Sequence, residues 1–210
     1  MKMLPEVTGL RFMQGPHRYL LTQGTATLQL PSVTQIIRFI SNEFYGQIDP
    51  VTLHKAADRG TRAHETIELI DQGAWAPVDA DIVGYVQAYE TWKEVYQPQI
   101  IAAEWRGYHR TMLYAGTVDQ IITLPGQNSL VIVDIKTSST YYPFLVDVQL
   151  AGYAQMLESW PGIKIGSTWG LQLKADGTYN FHRTQDLARA KSYFTMCYAL
   201  HGAVQLQKEV

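Results

Sequence analysis

The sequence predicts an α/β (α+β) chain, a central mixed β-sheet flanked by helices, and three observations carry that prediction. Residues 118–124 and 130–135 are apolar, β-branched runs either side of Pro125, Gly126, Gln127 and Asn128, which is hairpin chemistry. Segments with helical periodicity stand on both sides of that hairpin, in the order helix, helix, helix, strands, helix, hairpin, helix. At 210 residues the chain can bury about 70% of its unfolded surface in one core, and no Pro/Ser-rich linker divides it. The expected organisation is one unit over 1–210: a helical part at about 31–97, a sheet core at about 98–183 and a closing helix at about 185–207.

Taken in order, residues 18–30 read as a short polar hairpin. Ser32 can cap a helix whose Val33, Ile36, Ile37 and Ile40 form an apolar stripe. Asp49 followed by Pro50 is a helix start, a capping carboxylate with proline at the first helical position, and that helix runs to about Gln72. Leu53, Ala57, Gly60, His64 and Ile67 fall on one face of it. Gly60 costs roughly 1 kcal/mol against alanine, which points to a close approach there. His64 is either a core histidine or a group presented to a site, and Arg59 and Arg62 flank the same turn or face solvent.

A helix over 80–96 carries no evident chemistry. Residues 99–110 read as a strand holding Glu104 in an apolar stretch, a third acid for a site or the ion-pair partner of Arg106. After the hairpin, residues 144–160 form a helix that puts Gln149 and Tyr153 on one face. They are a half-buried pair, support for a site, or a contact to phosphate. Residues 166–174 and 178–183 form a second hairpin, and the last helix closes the sheet.

Composition bounds the chemistry. The net charge of −2, from 17 basic and 19 acidic residues, supplies no global positive field, so any grip on nucleic acid is local. The single cysteine, Cys197, rules out a disulfide framework and an all-protein cysteine cluster for zinc or iron–sulfur. With no signal peptide and no apolar run of about 18 residues, the expectation is a soluble, cytoplasmic protein with no membrane partner.

The central hairpin concentrates charge. With the turn centred between Gly126 and Gln127, Asp119 faces Asp134 and Thr117 faces Lys136, while Ile135 points to the other face. Two carboxylates pressed together among apolar residues lose hydration and repel each other. One takes a proton, a cation neutralises both, or the register slips and they never meet. A divalent metal uses such a pair directly, and Lys136 beside it can stabilise charge developing on a phosphate. The plainer alternative is an ordinary hairpin with a structural Asp–Lys pair.

Four short motifs then carry a resemblance. GTVD, DIKT with Asp134 and Lys136, and QLAGY with Gln149 and Tyr153, preceded by RGTRAHE with His64, are similar to the ordered signature of the PD-(D/E)XK nuclease superfamily in its RecB-like branch. LPSVT followed by FYGQIDP and RGTRAHE resembles the phage-type recombination exonucleases of that branch, over about 30–157. The resemblance implies a restriction-endonuclease-like core and a DNA exonuclease that depends on Mg²⁺ or Mn²⁺. Asp119, Asp134 and the Ile135 carbonyl would be inner-shell ligands, His64 an additional ligand and Glu104 a further acid. Lys136 would be the catalytic lysine, with Gln149, Tyr153, Arg59 and Arg62 supporting the site or contacting substrate.

One ion or two are compatible with this set, two lying roughly 3.5–4 Å apart. The iron–sulfur subgroup needs cysteines that this chain lacks. The resemblance also implies work on DNA in recombination or repair, beside a single-strand annealing protein. A structure-selective or restriction-like endonuclease and a non-catalytic DNA-binding module on the same fold are the competing readings. For exonuclease action, Arg59, Arg62, Arg106, Arg110 and Lys136 are expected to line a narrow passage, with Trp105, Tyr108 and Tyr141 as candidates for stacking on bases.

Overall fold

Local signals set where the helices begin. In a computed structural model that describes residues 4–208, the Ser32 hydroxyl accepts the Gln35 N–H (3.1 Å) and the Gln35 side chain takes the Ser32 N–H (2.9 Å). That reciprocal cap opens α1 (Val33–Ile36). The stripe expected to form one helix is two, because Ile37 (φ −87°, ψ 4°) interrupts it before α2 (Arg38–Tyr45). Asp49 accepts the Thr52 N–H (2.9 Å) and opens α3 (Pro50–Asp71), with Pro50 where no N–H is needed. Next come α4 (Val83–Tyr96), α5 (Pro143–Glu158) and α6 (Leu187–Lys208).

Two sheets organise the strands. β1 (Leu10–Met13), β2 (Arg18–Gln23) and β3 (Ala26–Leu30) form an antiparallel meander, of which sequence reading missed β1. The main sheet has five strands in sequence order: β4 (Gln99–Tyr108), β5 (Ala115–Thr123), β6 (Leu130–Lys136), β7 (Ile165–Leu173) and β8 (Tyr179–Arg183). β6 and β7 are parallel, joined through α5, and every other neighbouring pair is antiparallel, so the sheet is mixed.

Alternation along β6 divides the core. Leu130 and Ile132 pack with α5 and Phe194 of α6, whereas Val131, Val133 and Ile135 pack with Ala63 and Ile67 of α3 and Trp92 of α4. The sheet is thereby sandwiched between α3 and α4 on one face and α5 and α6 on the other, as the α+β prediction requires. Asp134 and Lys136, two and four residues beyond Ile132, sit on the α5 face at the end of the strand. No helix among the described residues is long and apolar enough to cross a membrane.

Candidate metal centre

The site lies where β5 and β6 part. Their pairing runs from Ile122–Val131 to Gln120–Val133 and stops, after which β5 continues on β4 and β6 on β7. This is the register expected from the turn, but Asp119 and Asp134 stand just past the last rung. Both backbone groups that Ile135 would offer β5 go to side chains instead. Its N–H donates to Asp119 Oδ2 (2.6 Å), and its carbonyl meets His64 Nε2 (3.1 Å). Splaying the strands thus exchanges ladder hydrogen bonds for contacts that orient a carboxylate and an imidazole.

His64 reaches this notch from α3. With its Nε2 proton donated to the Ile135 carbonyl, Nδ1 is the nitrogen turned to Glu104 Oε1 (3.7 Å) and Asp119 Oδ2 (3.8 Å). Gly60, one turn earlier, lets α3 approach the end of β6: a Cβ there would lie 3.2 Å from Thr137 Oγ1. Burial disfavours a charged imidazole, but Asp119 and Glu104 outweigh it and push His64 up to about 9. A proton on Nδ1 then does for the two carboxylates what a bound cation would do.

Asp134 belongs to a second group. Its Oδ2 is ion-paired with Lys136 Nζ (2.7 Å) and its Oδ1 accepts from Gln149 Nε2 (2.9 Å). Gln149 also accepts from Lys136 (3.2 Å) and donates to the Tyr153 hydroxyl (3.2 Å). Gly116 of β5 makes room for that ring, since a Cβ would lie 2.8 Å from Tyr153 Cε1. Burial raises the Asp134 carboxyl to about 6, opposed by Lys136 and reinforced by Asp119. Burial likewise raises Asp119 against the pull of His64 and Lys136. Lys136 is lowered by burial but lifted further by Asp134 and Asp119, so it stays charged.

Ligand atoms about 2.0–2.1 Å from one Mg²⁺ lie about 3 Å apart when adjacent and about 4 Å apart when opposite. The His64, Glu104 and Asp119 atoms, all within 4.8 Å of one another, suit a single hard divalent ion after a small inward shift. The cleft around them, about 880 Å³, is lined among the described residues by the acids Glu65, Glu68, Glu104, Asp119 and Asp134 but only two permanent cations, Arg106 and Lys136. Such a cleft repels a polyanion until a cation inverts its local charge.

The structure brings His64, Glu104, Asp119, Asp134, Ile135, Lys136, Gln149 and Tyr153 to this cleft and leaves out Arg59 and Arg62. Arg62 pairs with Asp58, Asp79 and Asp81, and Arg59 lies over the Tyr85 ring. Helical geometry is the reason: at 100° per residue, position 62 is turned about 200° from His64. The expected passage therefore keeps only Arg106 and Lys136, because Arg110 stacks on Trp160. Trp105, Tyr108 and Tyr141 do not line the cleft either. Arg106 makes no ion pair among the described residues, so Glu104 is not its salt-bridge partner.

Sequence reading missed a buried clamp behind the site. Asp71, two turns after His64 on α3, takes hydrogen bonds from Gln120 (2.6 Å), Tyr89 (2.7 Å) and Lys93 (2.7 Å). It ties α3 to the residue after Asp119. Gln120 in an apolar run was the available signal, since a buried amide needs partners.

Glu104 is held in the left-handed region (φ 46°) inside β4, between the rungs Ala103–Gln120 and Trp105–Val118, and therefore opposite Asp119. A side chain there costs about 1–2 kcal/mol. That strain turns the carboxylate toward His64. Glu104→Gly and Glu104→Ala both remove the charge, but only glycine relieves the backbone. Melts in EDTA are expected to show the glycine variant more stable by about 1 kcal/mol; equal stability would show that position 104 relaxes without cost.

Comparison with known proteins adds little at the level of residues. No family model matches the chain, and no curated protein matches it. Among solved structures, an alkaline exonuclease from Laribacter hongkongensis is similar at 11% identity, over 73% of this chain and 86% of that one, with a TM-score of 0.33. A likeness that remote assigns no residue.

Proposed function

We propose that this chain is a single nuclease unit, a divalent-metal-dependent deoxyribonuclease that hydrolyses phosphodiester bonds from DNA ends. One observation carries the reading: at the parting of β5 and β6, His64, Glu104 and Asp119 converge on one point, beside the charged Lys136 held by Asp134 and Gln149. His64 Nδ1, Glu104 and Asp119 would hold the ion. A Mg²⁺ or Mn²⁺ bound there supplies Lewis-acid polarisation of the phosphate and lowers the pKa of a water.

The chain's own groups do the rest. Lys136 places a fixed positive charge beside the phosphate, where negative charge develops. Asp134 and Gln149 aim that ammonium and keep it protonated, and the Tyr153 hydroxyl fixes the amide of Gln149. The Ile135 carbonyl fixes the tautomer of His64 and, with a second lone pair free, stands at the edge of the ion site. Action from ends is supported by electrostatics: among the described residues two permanent cations line the cleft against five acids, too few phosphate contacts to seat a duplex interior there.

A digestion tests this reading. Linear DNA with Mg²⁺ is expected to be degraded to short products, while covalently closed circles of the same sequence survive, and EDTA stops the degradation of the linear DNA. Rapid nicking of the circle would favour an endonuclease, and no cleavage of either would leave only a binding module.

His64 links the site to pH. Its folded pKa, about 9, lies above the ordinary value near 6.5, so without metal its charged form stabilises the fold. That contribution is complete below about pH 6.5 and is lost as pH rises through about 9. Urea melts in EDTA should show this loss in the parent but not in His64→Gln. Metal must displace the same proton, so Mg²⁺ affinity should rise by up to about tenfold per unit between pH 6.5 and 9. Titration calorimetry at several pH values reads it.

A further inference from the structure

Beyond the metal centre, the same cleft is walled by the turn between β1 and β2. Phe12, Gln14, His17 and Tyr19 line it together with Arg106. Phe12 is the hub of a compact group: Tyr19 is tilted against it (4.7 Å), His17 stands at right angles to it (5.1 Å) and the Arg106 guanidinium lies over its ring (5.2 Å). His17 is itself held in the left-handed region (φ 49°), closing the turn onto the Gln14 carbonyl (3.1 Å). That conformation places the imidazole against Phe12 while leaving it exposed.

Two features make this wall unlike a piece of core. Arg106 is exposed and has no carboxylate partner among the described residues, although the cleft holds several. The wall also joins the metal centre along one strand, because Arg106 and Glu104 of β4 both line the cleft. Arg106 is opposite Thr117, whose hydroxyl bonds to Tyr19 (2.7 Å), and Thr117 is two residues before Asp119. A planar cation and an exposed ring, braced by two aromatics at a short remove from a phosphate site, form a stacking surface for a planar group attached to a phosphate chain.

Resting on the nuclease reading, we infer that His17 and Arg106 form a subsite for one unpaired nucleobase of the strand whose phosphate lies at the metal centre. The base stacks on these planes, and the guanidinium also faces the adjoining phosphate. Phe12 and Tyr19 position the two groups and need not touch the base.

The test uses the whole chain in Ca²⁺ and short single-stranded oligonucleotides, intact or with one abasic site moved along the strand, read by fluorescence anisotropy. For the parent, one abasic position near the end should weaken binding about tenfold, the scale of one lost stack. His17→Ala and Arg106→Lys lie on the surface and leave the fold intact, the latter keeping the charge while losing the plane. Each should lose about as much on the intact strand and nothing further on the strand abasic at that position. A 2-aminopurine there should be quenched by the parent and not by the variants. Equal losses on intact and abasic strands, or unchanged affinity and quenching, overturn the subsite even where the parent still degrades DNA. A parent that neither binds nor cleaves DNA overturns the nuclease reading and the subsite with it.

Discussion

Asp119→Asn should abolish Mg²⁺-dependent stabilisation and lower the cleavage rate by about 10³-fold or more, the scale of losing a metal's electrostatic contribution. The fold should survive, because the asparagine carbonyl can still accept the Ile135 N–H that Asp119 Oδ2 now takes. His64 loses the larger Coulombic influence that raises it, so its pKa should fall from about 9 toward the ordinary value. Thermal melts with and without Mg²⁺ and an NMR titration of the histidines check both effects. A variant that gains as much stability from Mg²⁺ as the parent would remove Asp119 from the ion's ligands.

Lys136→Ala should separate chemistry from binding. The ammonium touches Asp134 and Gln149 and none of the ion-holding atoms, so Mg²⁺ should still stabilise the variant. Cleavage should fall about 10²-fold or more, as for loss of one preorganised charge contact. The variant should also be less stable than the parent, because Asp134 loses its counter-charge while buried and its carboxyl rises above about 6. Adding Asp134→Asn should restore stability without restoring rate. Recovery of rate by the double variant would show that Lys136 serves only to neutralise Asp134.

Much of the fold was legible because short-range chemistry specified it. Asp49 with Pro50, Ser32 as a cap, and the turn after Leu124 each fix an element through its own residues, and the hairpin register followed from the turn. The crowding of Asp119 and Asp134 was also legible, but not its resolution. Neutralisation by a cation is the remedy used, but with one cation for each acid: Lys136 neutralises Asp134, and His64 neutralises Asp119. Which cation serves which carboxylate depends on how α3 and α5 cross the sheet ends, and that is tertiary.

Arg59 and Arg62 misled because proximity in sequence to His64 is not proximity on a helix. Strand β1 escaped notice because its four residues carry no strong alternation and its pairing partner lies across a turn built by His17 in an unusual conformation. Glu104 was recognised as a polar residue in an apolar strand, yet nothing in the sequence announces a left-handed glutamate. That backbone state interrupts the strand between two rungs of the sheet, where sequence gives no signal.

The most direct measurement is anomalous diffraction from crystals soaked in Mn²⁺. A single strong peak should lie between His64 Nδ1, Glu104 and Asp119, within about 2.0–2.4 Å of each. It should vanish in Asp119→Asn and persist in Lys136→Ala. A peak bound to other side chains, or a parent that cleaves DNA in Mn²⁺ with no ion at this position, would contradict the assignment of His64, Glu104 and Asp119 as the metal centre.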